Sequence, residues 1–223
     1  MSTEKKYIIE IATSDFLTTK SAVEGGADRI ELCANLAEGG TTPSYGTVKQ
    51  CREAFDVLIY PIIRPRGGDF LYTDEEFSIM LQDIKLFKEL GCDGVVIGLL
   101  NRDGSIDVKR SALLVEAAYP MGVTYHRAFD RCRNPFEALE QLVEMGCERI
   151  LTSGQLPTVS EGADLIAELN SKADERIIIM PGSGLRKDNI KWLAEKTGCL
   201  EFHSSLRGKA ASSMEYIHPG FAG

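Results

Sequence analysis

Four times along this chain a glycine closes an amphipathic stretch and opens an apolar run: Gly26-Ala27-Asp28, Gly91-Cys92-Asp93, Gly146-Cys147-Glu148 and Gly198-Cys199-Leu200, with Gly122-Val123 doing much the same. Glycine has no Cβ to clash in the left-handed conformation that ends a helix, so this punctuation marks helices running into strands. The apolar runs predict eight strands, at 7–12, 29–33, 57–63, 94–98, 123–127, 149–153, 176–180 and 200–203. Helix starts are legible between them. Thr42-Pro43 and Asn134-Pro135 each place a capping side chain before a proline at the first helical position. Thr73 with Glu76 makes a capping box, and Asp107 precedes the next helix. Further helices are expected over 160–171 and 187–196.

Strand and helix in strict alternation, with apolar strands, mean a parallel sheet covered by helices. Eight units favour closure into a single (β/α)8 TIM barrel over an open sheet. The absence of G-x-G-x-x-G after the first strand disfavours a dinucleotide fold. The 223 residues suit one such domain spanning 1–223. About twenty residues follow the last strand, so the eighth helix is expected to be short or replaced by a C-terminal arm.

Several function classes are set aside by composition. A net charge of −8, with basic residues dispersed among acidic ones, does not suit nucleic acid. No apolar run approaches the length of a membrane span. Met1 to Lys6 is polar and shows no signal-peptide pattern, and the six cysteines never form C-x-x-C, which together predict a cytoplasmic protein.

Barrels of this kind work at the C-terminal ends of their strands. Alternation of faces puts Glu10, Glu31, Cys33, Arg64, Arg66, Thr124, His126, Glu201 and His203 inward or at that mouth. Charges are not gathered inside a barrel for packing alone, because isolated buried charges are costly. A carboxylate–guanidinium network that fixes the barrel is the competing reading for Glu10 and Glu201. Loops add to the mouth: Arg66-Gly67-Gly68, Thr152-Ser153-Gly154 and Gly182-Ser183-Gly184, the last placed where such barrels often bind phosphate. Cys92, Cys147 and Cys199 fall at helix–strand junctions and read as buried small hydrophobes, as does Cys51. Cys33 and Cys132 are the thiols that could reach the mouth. Trp192 reads as packing and His218 as a surface residue.

Glu31-Leu32-Cys33-Ala34-Asn35-Leu36 through Glu38-Gly39-Gly40-Thr41-Thr42-Pro43-Ser44 resembles the signature of the CutC copper-homeostasis family. So do Arg64-Pro65-Arg66-Gly67-Gly68-Asp69-Phe70, His126-Arg127-Ala128-Phe129-Asp130, Leu151-Thr152-Ser153-Gly154, Gly182-Ser183-Gly184 and Glu201-Phe202-His203. The resemblance implies a cytoplasmic (β/α)8 barrel, a homo-oligomer (dimer or tetramer) and copper homeostasis, with Cu(I) bound through cysteine. Cys33 is the thiol inside a family motif.

Two functions follow. In one, Cys33, helped by His126 or Cys132, holds Cu(I) for storage or trafficking. In the other, the chain is an isomerase, lyase or hydrolase acting on a small phosphorylated or carboxylated substrate. Arg64 and Arg66 would then clamp the anion, since a guanidinium matches an oxyanion bidentately. Ser153, Gly182, Ser183 and Gly184 would hold it by hydroxyl and backbone. Glu10, Glu31 or Glu201 would serve as base and His126 or His203 as acid. Glu10, Glu201 and His203 could also hold a divalent ion.

Overall fold

The computed structural model describes residues 7–206, 208, 213–216, 218 and 220. Eight parallel strands are present: β1 (Ile8–Thr13), β2 (Arg29–Leu32), β3 (Leu58–Pro61), β4 (Gly94–Ile97), β5 (Gly122–Tyr125), β6 (Arg149–Thr152), β7 (Ile178–Pro181) and β8 (Glu201–Ser204). Seven helices connect them: α1 (Phe16–Glu24), α2 (Tyr45–Ala54), α3 (Asp74–Glu89), α4 (Val108–Ala118), α5 (Pro135–Glu144), α6 (Ala163–Ala173) and α7 (Ile190–Thr197). Hydrogen bonding gives two four-stranded sheets, β3-β2-β1-β8 and β4-β5-β6-β7. Parallel bridges from Ile62 to Val96 and from Gly182 to His203 join their edges, so the strands follow one another around a barrel. No helix follows β8 among the described residues. The polar segment Met1 to Lys6 and half of the expected C-terminal arm lie outside them.

The alternation of strand faces separates two cores. Residues such as Ile11, Ile30, Leu32, Ile59, Val95, Tyr125 and Phe202 pack outward against the helices in one large buried cluster. A small second cluster, Cys33, Tyr60, Ile62 and Val96, lies inside the barrel. The helix ends follow the expected chemistry. Thr73 and Glu76 form the reciprocal capping box of α3, and the Asn134 side chain accepts from the first turn of α5. The start of α2 is a correction. Its cap is Ser44, two residues after the expected Thr42, because the Thr42 hydroxyl accepts from the Arg64 backbone N–H at 2.9 Å instead. Helices α6 and α7 also begin about three residues later than expected. Trp192 is half exposed on α7 rather than packed.

Glycine serves a second purpose inside the barrel. A Cβ at Gly94 would lie 2.0 Å from the Tyr60 ring, and one at Gly98 would lie 2.2 Å from the His126 ring. The bare backbone of β4 is thus what lets two neighbouring rings enter the lumen. Gly94→Ala is expected to destabilise the protein by about 1–3 kcal/mol through overpacking, measured by urea unfolding.

Candidate functional site

The interior is filled by charge. Arg29 and Arg149 are both 3% exposed, and each guanidinium lies 5.3 Å from the centroid of the Tyr60 ring between β2 and β6. Arg29 Nε donates to Glu10 and Arg29 Nη2 to Glu201 at 2.6 Å. Arg149 Nε donates to the same Glu201 oxygen at 3.1 Å, and its terminal nitrogens grip Glu148 at 2.9 Å. Glu148 also accepts from the Tyr60 hydroxyl at 3.1 Å. Glu10 and Glu201 therefore belong to a carboxylate–guanidinium network, and both carboxylates already face Arg29. Arg29, Arg149 and Tyr60 were missed in the sequence. The signal was there: Arg29 stands two residues before Glu31, and Tyr60 two before Ile62, on the same inward face.

Toward the mouth this network passes into a carboxylate–imidazole–carboxyl series. His203 Nδ1 and Glu10 Oε1 are 2.8 Å apart, and His203 Nε2 lies 3.6 Å from Glu31 Oε2. Burial alone would raise the Glu10 pKa, but the hydrogen bond to His203 and the Arg29 charge outweigh it and hold the carboxyl at about 2. Glu31, deeply buried and facing the Glu10 charge, is pushed up to about 7 against the opposing pull of His203. Burial works against the imidazolium of His203, yet the bond to Glu10 and the nearby Glu31 carry its pKa above the usual histidine value. With Glu10 ionised, His203 keeps its Nδ1 hydrogen, and Nε2 is the ring atom that faces Glu31.

His126, the residue after β5, has a different setting. Its Nδ1 accepts from the Ala128 N–H at 3.0 Å, and its ring packs 5.0 Å from that of Phe70. Burial, together with the Arg64 charge, lowers its pKa to about 3, so it is a neutral imidazole. Arg64 is 4% exposed and lies over the other partner of that contact, with its guanidinium carbon 5.2 Å from the Phe70 centroid. Its terminal nitrogens donate to three carbonyls, those of Glu38, Gly40 and Gly68, tying the loops after β2 and β3 together. Arg66 does not join it. That side chain runs outward to Glu76 and Asp69, so the two arginines do not form one clamp.

The remaining candidates hold loops. Asp130 accepts from the Ser153 backbone and hydroxyl and from Thr152, with Arg127 donating to the Ser153 hydroxyl at 2.7 Å. Ser183 sits at φ +86° between Gly182 and Gly184 and donates to the Pro157 carbonyl. Helix α7 begins only at Ile190, without a side-chain cap, so Gly182-Ser183-Gly184 does not open directly onto a helix N-terminus. All six cysteines are buried. Cys132 lies beside Gln155, and the buried neighbours of Cys33 are Tyr60, Ile62 and Val96. Cuprous ion favours several converging thiolates or thioethers. Among the described residues no group of three or more His, Cys, Asp or Glu side chains is placed to hold a metal, so the surroundings of Cys33 do not fit such a site. A cavity of about 690 Å³ lies at the opposite, N-terminal end of the barrel, lined by Tyr60, Glu148, Met121 and Met145 among others.

Removing one member of the buried network should be costly. Arg29→Met leaves Glu10 without its guanidinium and is expected to destabilise by about 3–5 kcal/mol in urea unfolding. Adding Glu10→Gln in the same chain should recover a large part of that loss, as a double-mutant cycle would show.

The comparisons with known proteins agree with one another. A model of the CutC family matches residues 7–208. The CutC family protein of Parabacteroides distasonis is 55% identical over 95% of this chain and 87% of its own length. That of Chromobacterium violaceum is 50% identical over 96% of this chain and 86% of its own length. The crystal structure of CutC from Streptococcus agalactiae superimposes with a TM-score of 0.86 at 32% identity, covering 89% of this chain and 98% of that one. A polar-filled (β/α)8 barrel, matched along its length by sequence and by structure, belongs to the CutC family.

Proposed function

We propose that this barrel is an acid–base enzyme acting on a small organic substrate at the C-terminal mouth, of the isomerase or lyase type. The observation that carries the reading is the Glu10–His203–Glu31 series, with contacts of 2.8 and 3.6 Å. Glu31, raised to about 7, and His203, raised above the ordinary histidine value, face each other, and a charged carboxylate orients the imidazole from behind. That is the arrangement proton transfer needs: a base that is ionised and an acid that is protonated at the same working pH. Ionised Glu31 removes a proton from the substrate, and protonated His203 gives its Nε2 hydrogen to the substrate or stabilises by hydrogen bonding the charge that develops. His126, neutral and uncoupled from this series, acts as a hydrogen-bond donor rather than as the acid.

The same reading makes the chain one cytoplasmic domain, 1–223, that self-associates. Buried thiols suit a reducing compartment, and exposed Leu17 and Tyr119 supply apolar surface for a second copy. Copper is the second reading. It is supported by the S. agalactiae relative, which is named for a proposed role in copper homeostasis, and by Cys33 standing two residues beyond Glu31 on the inward face. Copper would be cargo, held at Cys33 for storage or trafficking.

Three measurements follow. The Glu31 carboxyl, followed by carbon NMR, should titrate near pH 7. Its folded pKa lies above the ordinary 4.5, so this group alone makes stability fall as pH rises from about 4.5 to 7, and Glu31→Gln should remove that slope. In D2O, wild-type protein should wash deuterium into one or more members of a panel of small 2-oxo and 2-hydroxy acids, and Glu31→Gln should not; identical behaviour of the two would sink the acid–base reading. Titration of reduced protein with Cu(I) against a competing chelator should show no tight stoichiometric site, whereas tight binding lost in Cys33→Ser would favour copper.

A further inference from the structure

Arg29 and Arg149 each face carboxylates, whereas Arg64, just as buried, forms no ion pair among the described residues. Its charge is met by the three loop carbonyls and the face of the Phe70 ring, and its Nε–H has no acceptor. A buried cation without a counter-ion is costly, and native proteins seldom leave one.

Two further donors share this neighbourhood. The Ala128 N–H fixes the hydrogen of neutral His126 on Nε2, and that atom has no hydrogen-bond partner. The hydroxyl of Tyr72, a residue 5% exposed, has none either. Burial raises the Tyr72 pKa to about 12 against the opposing charge of Arg64, whose guanidinium lies beside the hydroxyl as a donor, so the phenol keeps a hydrogen that has no acceptor. Arg64 and His126 pack on the same Phe70 ring, and Tyr72 follows two residues later. Of the four buried side-chain polar atoms that lack a partner among the described residues, three belong to this group. All three are donors, and leaving a buried donor unmade costs about 1–3 kcal/mol each.

We infer that Arg64 Nε, His126 Nε2 and Tyr72 Oη form a subsite for a carboxylate carried by the substrate. One net positive charge and three donors match a carboxylate, which brings one negative charge and about four lone-pair directions. A phosphate dianion would bring both of its charges into the same buried place, whereas a dicarboxylate such as malonate seats one carboxylate there and keeps the other outside. Segment 67–72, which carries Phe70 and Tyr72, moves aside to admit the anion, because each donor is itself covered. The inference deepens the acid–base reading by naming the substrate class, and it rests on that reading only for what the bound molecule then undergoes.

The test is binding, not turnover. Malonate and, separately, inorganic phosphate are titrated at constant ionic strength, following the His126 ring signals by NMR and the melting temperature. Wild type should bind malonate saturably, with the His126 Nε2–H resonance shifting and the melting temperature rising with concentration. Tyr72→Phe removes an unpartnered hydroxyl, so the free protein should melt as wild type does while malonate binds about tenfold more weakly. Arg64→Gln should abolish binding, but it also loosens two loops, so the tyrosine variant is decisive. No saturable malonate binding, equal binding by Tyr72→Phe, or tighter binding of phosphate would each overturn the inference. Glu31→Gln should bind malonate as wild type does, so a failed deuterium wash-in with intact binding would sink the acid–base reading and leave the subsite standing.

Discussion

Two arginines on opposite walls of the barrel, both lying against one tyrosine ring, set the terms for everything else inside it. Arg29 and Arg149 bring like charges to within reach of the same Tyr60 ring, an arrangement that exists only because Glu10, Glu201 and Glu148 close around them. The aromatic face contributes too, since a guanidinium over a ring is attracted by its quadrupole. The lumen is thereby filled largely by charge, beside the small cluster of Cys33, Tyr60, Ile62 and Val96. A buried network of this kind is not a cheap source of stability, because removing the ions from water costs several kcal/mol each. What it supplies is placement. Glu10 is held ionised by its partners, so the His203 ring has a fixed orientation and one nitrogen committed to that carboxylate.

The two ends of β3 show how differently the same residue type can be used. Tyr60 and the deep arginines form a region where every charge has a partner. Arg64, four residues further along the same inward face, has its terminal nitrogens surrounded by carbonyls from three loop positions. Carbonyl oxygens supply partial negative charge but no counter-ion. The lower barrel is electrostatically complete, and the upper wall is not. That asymmetry runs along the barrel axis, in the direction that (β/α)8 barrels generally use for chemistry.

Much of this was legible beforehand, for physical reasons. Glycine punctuation located the strands to within a residue or two, because a helix that ends in a left-handed glycine leaves little freedom in where the next strand begins. Alternation puts Glu10, Glu31, Glu201 and His203 on one face, and these four are joined to the same lumen network. The reading failed where a side chain had two suitors. Thr42 looks like a cap, but tertiary structure gave its hydroxyl to Arg64, and Ser44 capped the helix instead. Arg66 shares a face with Arg64 in a strand, but the chain has left β3 by then, and Glu76 draws it outward. Arg29 and Arg149 open their strands after an acidic residue, which reads as an exposed charge pair until the lumen is seen to be ionic.

The close approach of Tyr60 to the glycines of neighbouring strands makes several positions one unit of volume. A Cβ at Gly94 would meet the ring edge, and a Cβ at Gly122 would meet both the Tyr60 hydroxyl, at 2.5 Å, and the Glu148 carboxylate, at 2.2 Å. Space that would ordinarily be divided among three side chains is occupied by one. Positions 60, 94, 122 and 148 can therefore drift only in concert. A shorter residue at 60 would release room at 94 and 122 together, and a methyl group at either glycine becomes tolerable only after that release. Surveys that change one residue at a time would score each of these sites as rigid, although the constraint belongs to the sum of their volumes and not to any one of them.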